Sequence, residues 1–144
     1  LKSWTWGIPK SLEKAKGSVI VDNPILEVKK IIDEANFDWL DEIYVRYLPR
    51  DVQKETGKTI ALITPFRENP REYGNNVFNS VENGVELQIF FKLDFVDSIS
   101  QIDIKTMQLL IKNGWKVYDS KETFTDPDTK QIVKVFYFTK IYNL

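Results

Sequence analysis

An alternating segment near the middle of the chain places the strongest constraint on the fold. In Val85–Leu93 every odd-numbered position is apolar, and the even-numbered positions hold Glu86, Gln88, Phe90 and Lys92. Side chains alternate between the two faces of a β-strand, so this pattern predicts a strand with one face against a core. Phe90 interrupts the polar face, and an apolar ring there is either covered by a loop or part of an interface.

Four further segments have the composition of β-strands, namely Ile43–Leu48, Thr59–Thr64, Trp115–Ser120 and Ile132–Tyr142. Pro49 and Pro65 are expected to end the first two, and the charged link of residues 49–58 is predicted to be an exposed hairpin loop. Asp126–Thr129 has Pro at its second position, which predicts a turn that joins the last two strands as a hairpin. Ile132–Tyr142 is apolar on both faces, which is typical of a central or doubly covered strand.

The N-terminal part of the chain divides into an arm and a helix. Residues 1–18 contain two Trp, two Gly and a Pro without a sustained period, which predicts an arm before a single domain of residues 19–144. The arm is either a loosely packed terminus or a segment whose Trp pair docks on a neighbour. A helix follows from Pro24, with Asp22 or Asn23 as its N-cap.

A second helix is predicted from about Ser98 to Asn113. Ser98 is a suitable N-cap, and Gly114 can end the helix in a left-handed conformation. The polar stripe is narrow, and apolar residues that include Met107 and Ile111 cover more than half of the circumference. A surface helix needs an apolar stripe of only about 100°. The excess meets either a neighbouring subunit or a covering loop.

These elements predict an α+β domain with a mostly antiparallel sheet and two helices, in the order α-β-β-β-α-β-β. Sequentially adjacent strands and helices of this kind pack as a sheet covered by helices. The chain of 144 residues is long enough for one domain that buries a sizeable core without a metal or disulfide.

The composition excludes whole classes of chemistry. The chain contains no Cys and no His, so thiol nucleophiles, disulfides and mechanisms with a His base are impossible within it. Asp126 and Asp128 lack the further ligands of a calcium loop and are interpreted as turn residues. We therefore predict a protein that is not an enzyme, with no cofactor, no metal site and no catalytic residue.

Charge and hydropathy limit the partners. A net charge of −1 argues against duplex DNA binding, which usually requires a basic excess. No apolar run reaches the length of a membrane span. Residues 4–9 are too short and too broken by Gly and Pro for a signal peptide, so synthesis in the cytoplasm is expected.

Two groups of residues are candidates for function. Tyr73, Gly74, Asn75 and Asn76 form a segment in which Gly and Asn tolerate positive φ, so it is either a shaping turn or a contact loop between subunits. Basic residues near the first strands would face nucleic acid or an acidic partner if they converge on one surface, and are otherwise scattered solvated charges.

The chain resembles small siphophage proteins from viruses of Gram-positive hosts, among them minor tail proteins. The resemblance covers about Asn23 to Tyr142, and its signatures are the segments Asp41–Tyr44, Tyr73–Asn76, Gly84–Phe91 and Asp126–Gln131. The order of elements is also similar to that of tail terminator proteins. Those form a hexameric ring that caps the tail tube and joins it to the head.

The resemblance implies a homo-oligomeric ring in the virion tail, synthesised in the host cytoplasm, with tail tube and head–tail connector proteins as partners and a lumen that DNA passes. Residues expected at subunit interfaces are Tyr73, Gly74, Asn75, Asn76, Phe90, Met107 and Ile111. Residues expected at a basic lumen are Arg46, Arg67 and Lys92. The alternative is another minor tail protein or a baseplate-adjacent adaptor.

Overall fold

A long β-hairpin runs through the middle of the sheet. The computed structural model describes residues 23–144, and in it β2 (Ile60–Gly74) and β3 (Val77–Phe91) pair antiparallel along almost their whole length. The other strands of the described residues are β1 (Glu42–Val45), β4 (Lys116–Ser120), β5 (Phe124–Thr125) and β6 (Ile132–Asn143). The helices are α1 (Pro24–Ala35), α2 (Arg50–Gln53) and α3 (Ile99–Lys112).

The sheet has the order β1-β2-β3-β6-β4, with β5 paired to β6. All pairs are antiparallel except β1 and β2, which are parallel. The predicted α+β class with a mostly antiparallel sheet is confirmed. The final hairpin is also confirmed, because β4 pairs with β6 and β6 lies between two neighbours, as its two apolar faces predict.

The core lies between one face of the sheet and the two longer helices. The alternation of the middle strand is confirmed: Val85, Leu87, Ile89 and Phe91 are buried, whereas Glu86, Gln88 and Phe90 on the other face are half-buried. The helices contribute the buried residues Ile25, Val28, Ile32, Ile102 and Leu110 to the same cluster. We call the sheet surface opposite these helices the open face.

The ends of the longer helices follow their local sequence. Asn23, rather than Asp22, caps α1, because its Oδ1 accepts a hydrogen bond from the backbone N–H of Ile25 at 3.2 Å. Ser98 caps α3 through the N–H of Gln101. Both caps occupy amides that would otherwise lack a helical partner. The arm predicted for residues 1–18, and the domain boundary with it, lie outside the described residues.

The predicted hairpin between the first two strands is wrong. β1 runs parallel to β2, and the link between them contains α2 rather than a simple loop. Two parallel strands require a crossover, and residues 46–59 are long enough to make one. Asp41 fixes the start of β2, because its Oδ2 accepts the backbone N–H of Thr59 at 2.8 Å. Arg46, with a φ of 75°, ends β1 earlier than Pro49 would.

Pro65 does not end the second strand, contrary to the prediction. β1 covers β2 only from Ile60 to Ile63, so the rest of β2 is an edge strand among the described residues. The outward N–H groups of an edge strand need no partner, and Pro is therefore tolerated there. β2 continues through Pro65 and Pro70, with a bulge between Pro65 and Arg67. Residues 65–74, beyond the expected end of this strand, therefore belong to β2.

Candidate interaction surfaces

The β2–β3 hairpin closes with a tight turn at its far end. Gly74 pairs with Val77, and the two residues between them, Asn75 and Asn76, have φ values of 53° and 66°. A two-residue turn with positive φ at both positions matches the twist of the strands it joins. The predicted turn is confirmed, and Asn79 strengthens it by donating from Nδ2 to the carbonyl of Glu72 at 2.8 Å.

Apolar side chains project from this end of the hairpin. Tyr73 is 69% exposed, Val77 56% and Phe78 41%, and we call these three residues the apolar tip. The rings of Tyr73 and Phe78 meet edge to face with centroids 6.2 Å apart. The pairing of β6 with β3 starts only at Ser80. Beyond Asn79, whose carbonyl accepts a hydrogen bond from the N–H of Leu144 at 2.9 Å, the described residues form a two-stranded ribbon that carries apolar groups into solvent.

A recess lies at the other end of the same two strands. It has a volume of about 700 Å³, and its apolar walls come from Leu48, Val52, Ile60, Phe90 and Leu93. Its polar rim includes Lys54, Glu55, Asp126 and Asp128. We call it the distal recess. Phe90 is half-buried here: the link that contains α2 covers part of the ring and leaves the rest open to the recess.

The apolar tip and the distal recess are far apart. β2 is 15 residues long, and a strand rises about 3.3 Å per residue, so its two ends are roughly 45 Å apart. The residues predicted for interfaces are thus divided, with Tyr73–Asn76 at one end and Phe90 at the other. They form two separate surfaces and no continuous patch.

Helix α3 presents part of its predicted excess apolar surface. Ile104 is 48% exposed and Ile111 56%, and residues seven apart lie on one side of a helix. No loop among the described residues buries them. Met107, by contrast, is partly buried and packs against the hydrophobic core. Of the two α3 residues predicted at an interface, only Ile111 therefore offers substantial free surface.

The three basic residues predicted at a lumen do not converge. Arg46 and Arg67 line one groove of about 690 Å³ beside the start of α1. The Arg67 guanidinium lies 5.0 Å from the ring centroid of Tyr118, on the open face. Lys92 follows β3 at the end near the distal recess, roughly 20 Å along the strand direction from Arg46. At most two of the three could act together.

Glu27 of α1 joins three parts of the fold through one carboxylate. It accepts hydrogen bonds from Lys140 Nζ at 2.6 Å, Tyr142 OH at 2.6 Å and Trp115 Nε1 at 3.2 Å. Burial would raise the pKa of Glu27, but the hydrogen bonds from Lys140 and Tyr142 and the charge of Lys140 outweigh it and lower the pKa. The arrangement holds α1 against β6.

A second ionic contact holds α3 against β6. The side chain of Lys134 is only 7% exposed, and its Nζ donates to Ser120 Oγ at 2.9 Å and to the carbonyl of Lys121. Asp103 lies 3.7 Å from the same Nζ. Burial raises the pKa of Asp103 despite the opposing charge of Lys134, and its Oδ1 has no hydrogen-bond partner among the described residues.

Local sequence signals could not identify these two contacts as pairs. Glu27 and Lys140 are 113 positions apart, so no spacing rule connects them. The only available signal was that Lys134 and Lys140 lie on the buried face of an otherwise apolar strand. A lysine at such a position needs a partner.

The Asp-rich turn at the recess rim is a turn, as predicted. Asp126 Oδ1 accepts from the backbone N–H groups of Asp128 at 2.8 Å and Thr129 at 3.2 Å. This geometry is an Asx turn, which shapes the backbone without an ion. Within residues 23–144 no three acidic side chains are grouped closely enough to hold a metal ion. None of the helices there has the length and apolar character needed to cross a membrane.

Comparison with known proteins places the whole of this structure in one family. No curated protein matches the sequence. The profile of a family described as "Protein of unknown function (DUF806)" matches residues 23–143, which includes every helix and strand described above. The chain is therefore a member of the DUF806 family.

Proposed function

We propose that this protein is a structural component of a phage tail, a tail terminator or tail completion protein at the head–tail joint. It acts by assembling as a ring on the tail tube, with tube and head–tail connector proteins as its partners. The proposal rests on the resemblance to siphophage tail proteins and on the exposed surfaces of the fold. Three parts of the proposal follow from the resemblance alone: a ring of six subunits, a place in the virion tail, and the passage of DNA through the ring.

The observation that carries the proposal is the separation of the apolar tip from the distal recess. A cyclic ring uses heterologous contacts, so each subunit must offer two different surfaces to its two neighbours. The exposed aromatic residues of the tip and the apolar walls of the recess are suited to such contacts, because aromatic side chains are enriched in protein interfaces. Their position at opposite ends of one hairpin leaves each free for a different neighbour.

The proposed role is not enzymatic. Catalytic carboxylates usually have shifted pKa values and lie in a cleft. Among residues 23–144 the carboxyls with a shifted pKa and substantial burial are Glu27 and Asp103, and each faces a lysine in a contact between a helix and β6. Both carboxyls are thus engaged between a helix and β6 rather than in a cleft, which supports a structural role.

Self-association of the purified full chain tests the proposal. Light scattering over a range of concentrations measures the mass in solution, and electron microscopy visualises rings, both with and without isolated tail tubes. We expect rings, or binding to one end of the tubes. A protein that stays monomeric at every concentration and does not bind tail tubes would overturn the proposal.

A second candidate function is another minor tail protein or a baseplate-adjacent adaptor. The exposed pair Ile104 and Ile111 on α3 favours it, because it provides an apolar surface apart from both the tip and the recess. An adaptor must bind a different protein at such a surface. Antibody labelling of virions separates the two roles. Label at the head-proximal end of the tail supports the terminator, and label at the distal end supports the adaptor.

A further inference from the structure

We propose that the apolar tip of one copy inserts into the distal recess of a second copy, and that this head-to-tail contact is the repeating contact between subunits. The inference rests on the proposed function, assembly of copies of this chain, and it names the surfaces that meet. The resemblance supplies neither the pairing nor the recess.

The distal recess has room and some apolar surface for the side chains of the tip. Its volume of about 700 Å³ lies within the roughly 300–1,000 Å³ of pockets that bind ligands. The tip presents two aromatic rings and Val77 on one narrow ribbon. The accessible apolar side chains of Leu48, Phe90 and Leu93 would remove the side chains of the tip from water, which is the main favourable term in protein association.

One cation near the tip can meet the acidic rim of the recess. The rim of the recess has three carboxylates, from Glu55, Asp126 and Asp128, against the one ammonium of Lys54. Arg71 lies on the same face of the ribbon as Tyr73, because their partners Ser80 and Phe78 are two positions apart on β3. Its side chain is 48% exposed, and its guanidinium is 3.6 Å from Glu82. Docking brings this cation to the acidic rim, which orients the contact more than it strengthens it.

The tip is already ordered for docking. Its two-residue turn has positive φ at both Asn75 and Asn76, and the bond from Asn79 to Glu72 ties the two arms together. An ordered ribbon loses little conformational freedom when it binds, so more of the burial energy appears as affinity. A loop of the same composition without these contacts would not have this advantage.

The geometry favours a repeating contact over reciprocal exchange between two copies. In reciprocal docking, the tip and the recess of one copy, which are roughly 45 Å apart, must both face the same second copy. The bulge between Pro65 and Arg67 lies between them, and a bulge increases the twist of a ribbon. We therefore expect the tip and the recess to face different directions. A contact between two different surfaces repeats from copy to copy and closes as a ring if the rotation permits.

Cross-linking between single cysteines tests the pairing directly, because the natural chain contains no Cys. Asn75→Cys marks the tip and Asp128→Cys marks the rim, and both positions are exposed. We expect a short bis-maleimide to join the two variants when they are mixed and to join neither variant to itself. The matched control pairs Asn75→Cys with Gln108→Cys on α3, which should not cross-link.

The double variant Asn75→Cys, Asp128→Cys distinguishes the two modes of docking. A repeating contact predicts a ladder of covalent dimers, trimers and larger species, whereas reciprocal docking stops at the dimer. Cross-links between two tips, or no cross-link in the mixture of tip and rim variants, would overturn the proposed pairing.

A second measurement does not depend on cross-linking. Tyr73→Ala with Phe78→Ala should weaken self-association at least tenfold in light scattering, whereas Leu26→Ala, at an exposed apolar position of α1, should leave it unchanged. Circular dichroism melting verifies that each variant is folded. If rings persist in the tip variant, the subunits meet elsewhere and the proposed ring function survives. If the natural chain never associates, with or without tail tubes, both proposals fail.

Discussion

Removing the carboxylate of Glu27 is expected to destabilise the fold more than other substitutions at polar positions of α1. The carboxylate accepts from Lys140 Nζ and Tyr142 OH, each at 2.6 Å, and from Trp115 Nε1 at 3.2 Å. Glu27→Ala withdraws the shared acceptor from all three donors at once. The ring of Trp115 is buried, so its N–H is poorly placed to find water instead.

The size of the effect follows from these contacts. A hydrogen bond to a charged group contributes about 1.5–3 kcal/mol when it is well formed. The side chains of Glu27 and Lys140 are 19% and 26% exposed, so water replaces part of that interaction. We expect Glu27→Ala to lower the free energy of unfolding by about 2–4 kcal/mol. At roughly 3 °C per kcal/mol for a domain of this size, Tm falls by about 6–12 °C.

Urea unfolding measures this prediction. The midpoint should decrease while the slope m stays constant, because the surface exposed on unfolding is unchanged. Glu34→Ala is the matched control: it removes the same side chain from an exposed position of the same helix and should change stability by less than about 0.5 kcal/mol. If the two variants have the same midpoint, the reasoning about the shared carboxylate is refuted.

The contribution of Glu27 also depends on pH with a definite sign. Its hydrogen bonds and the charge of Lys140 lower the folded-state pKa below the ordinary value of 4.5. The stabilisation is therefore present above that ordinary value and is lost as the pH falls through the folded-state pKa. The difference in stability between the natural chain and Glu27→Gln should shrink on acidification, and a constant difference would contradict the assignment.

Three further substitutions test other contacts. Gly84→Ala places a Cβ 2.6 Å from Phe66 Cδ2, and thermal melting should show a loss of about 1–3 kcal/mol from overpacking; an unchanged Tm would disprove the close contact. Asn76→Gly relieves a positive φ of 66° and should raise the urea midpoint by the equivalent of about 0.5 kcal/mol, whereas a decrease would count against the turn. Burial raises the folded-state pKa of Asp103, so its stabilising contribution is complete below the unfolded pKa and is lost as the pH rises through the folded one. As the pH rises from about 3 to 7, the free energy of unfolding of the natural chain, measured with urea at each pH, should therefore fall relative to that of Asp103→Asn. The opposite trend would mean that the charge of Lys134 outweighs burial in setting the pKa of Asp103.

The parts of the fold that depend on local chemistry were predictable from the sequence. The caps at Asn23 and Ser98, the alternation along β3 and the turn at Asn75–Asn76 each depend on neighbouring residues. The last hairpin was also predictable, because the turn signal at residues 126–129 lies between two apolar segments. Each of these features follows from a spacing of a few residues.

The features that were wrongly predicted depend on contacts between distant segments. A proline ends a central strand but is tolerated on an edge strand, and only the pairing of β1 shows which applies to Pro65. The parallel direction of β1 is likewise not encoded in its own residues. The interface prediction had the same limit. Phe90 and Tyr73 were both identified, but their separation to opposite ends required the register of the hairpin.

The proline-bearing edge of β2 has a consequence for evolution. An unpaired edge could recruit another chain through its backbone, which does not depend on the identity of the side chains. Pro65 and Pro70 interrupt that backbone pattern. Binding through exposed side chains differs from backbone pairing at a strand edge, because each contact depends on particular residues. Substitutions at exposed positions can therefore change which partners the protein accepts while the sheet that supports those positions stays the same.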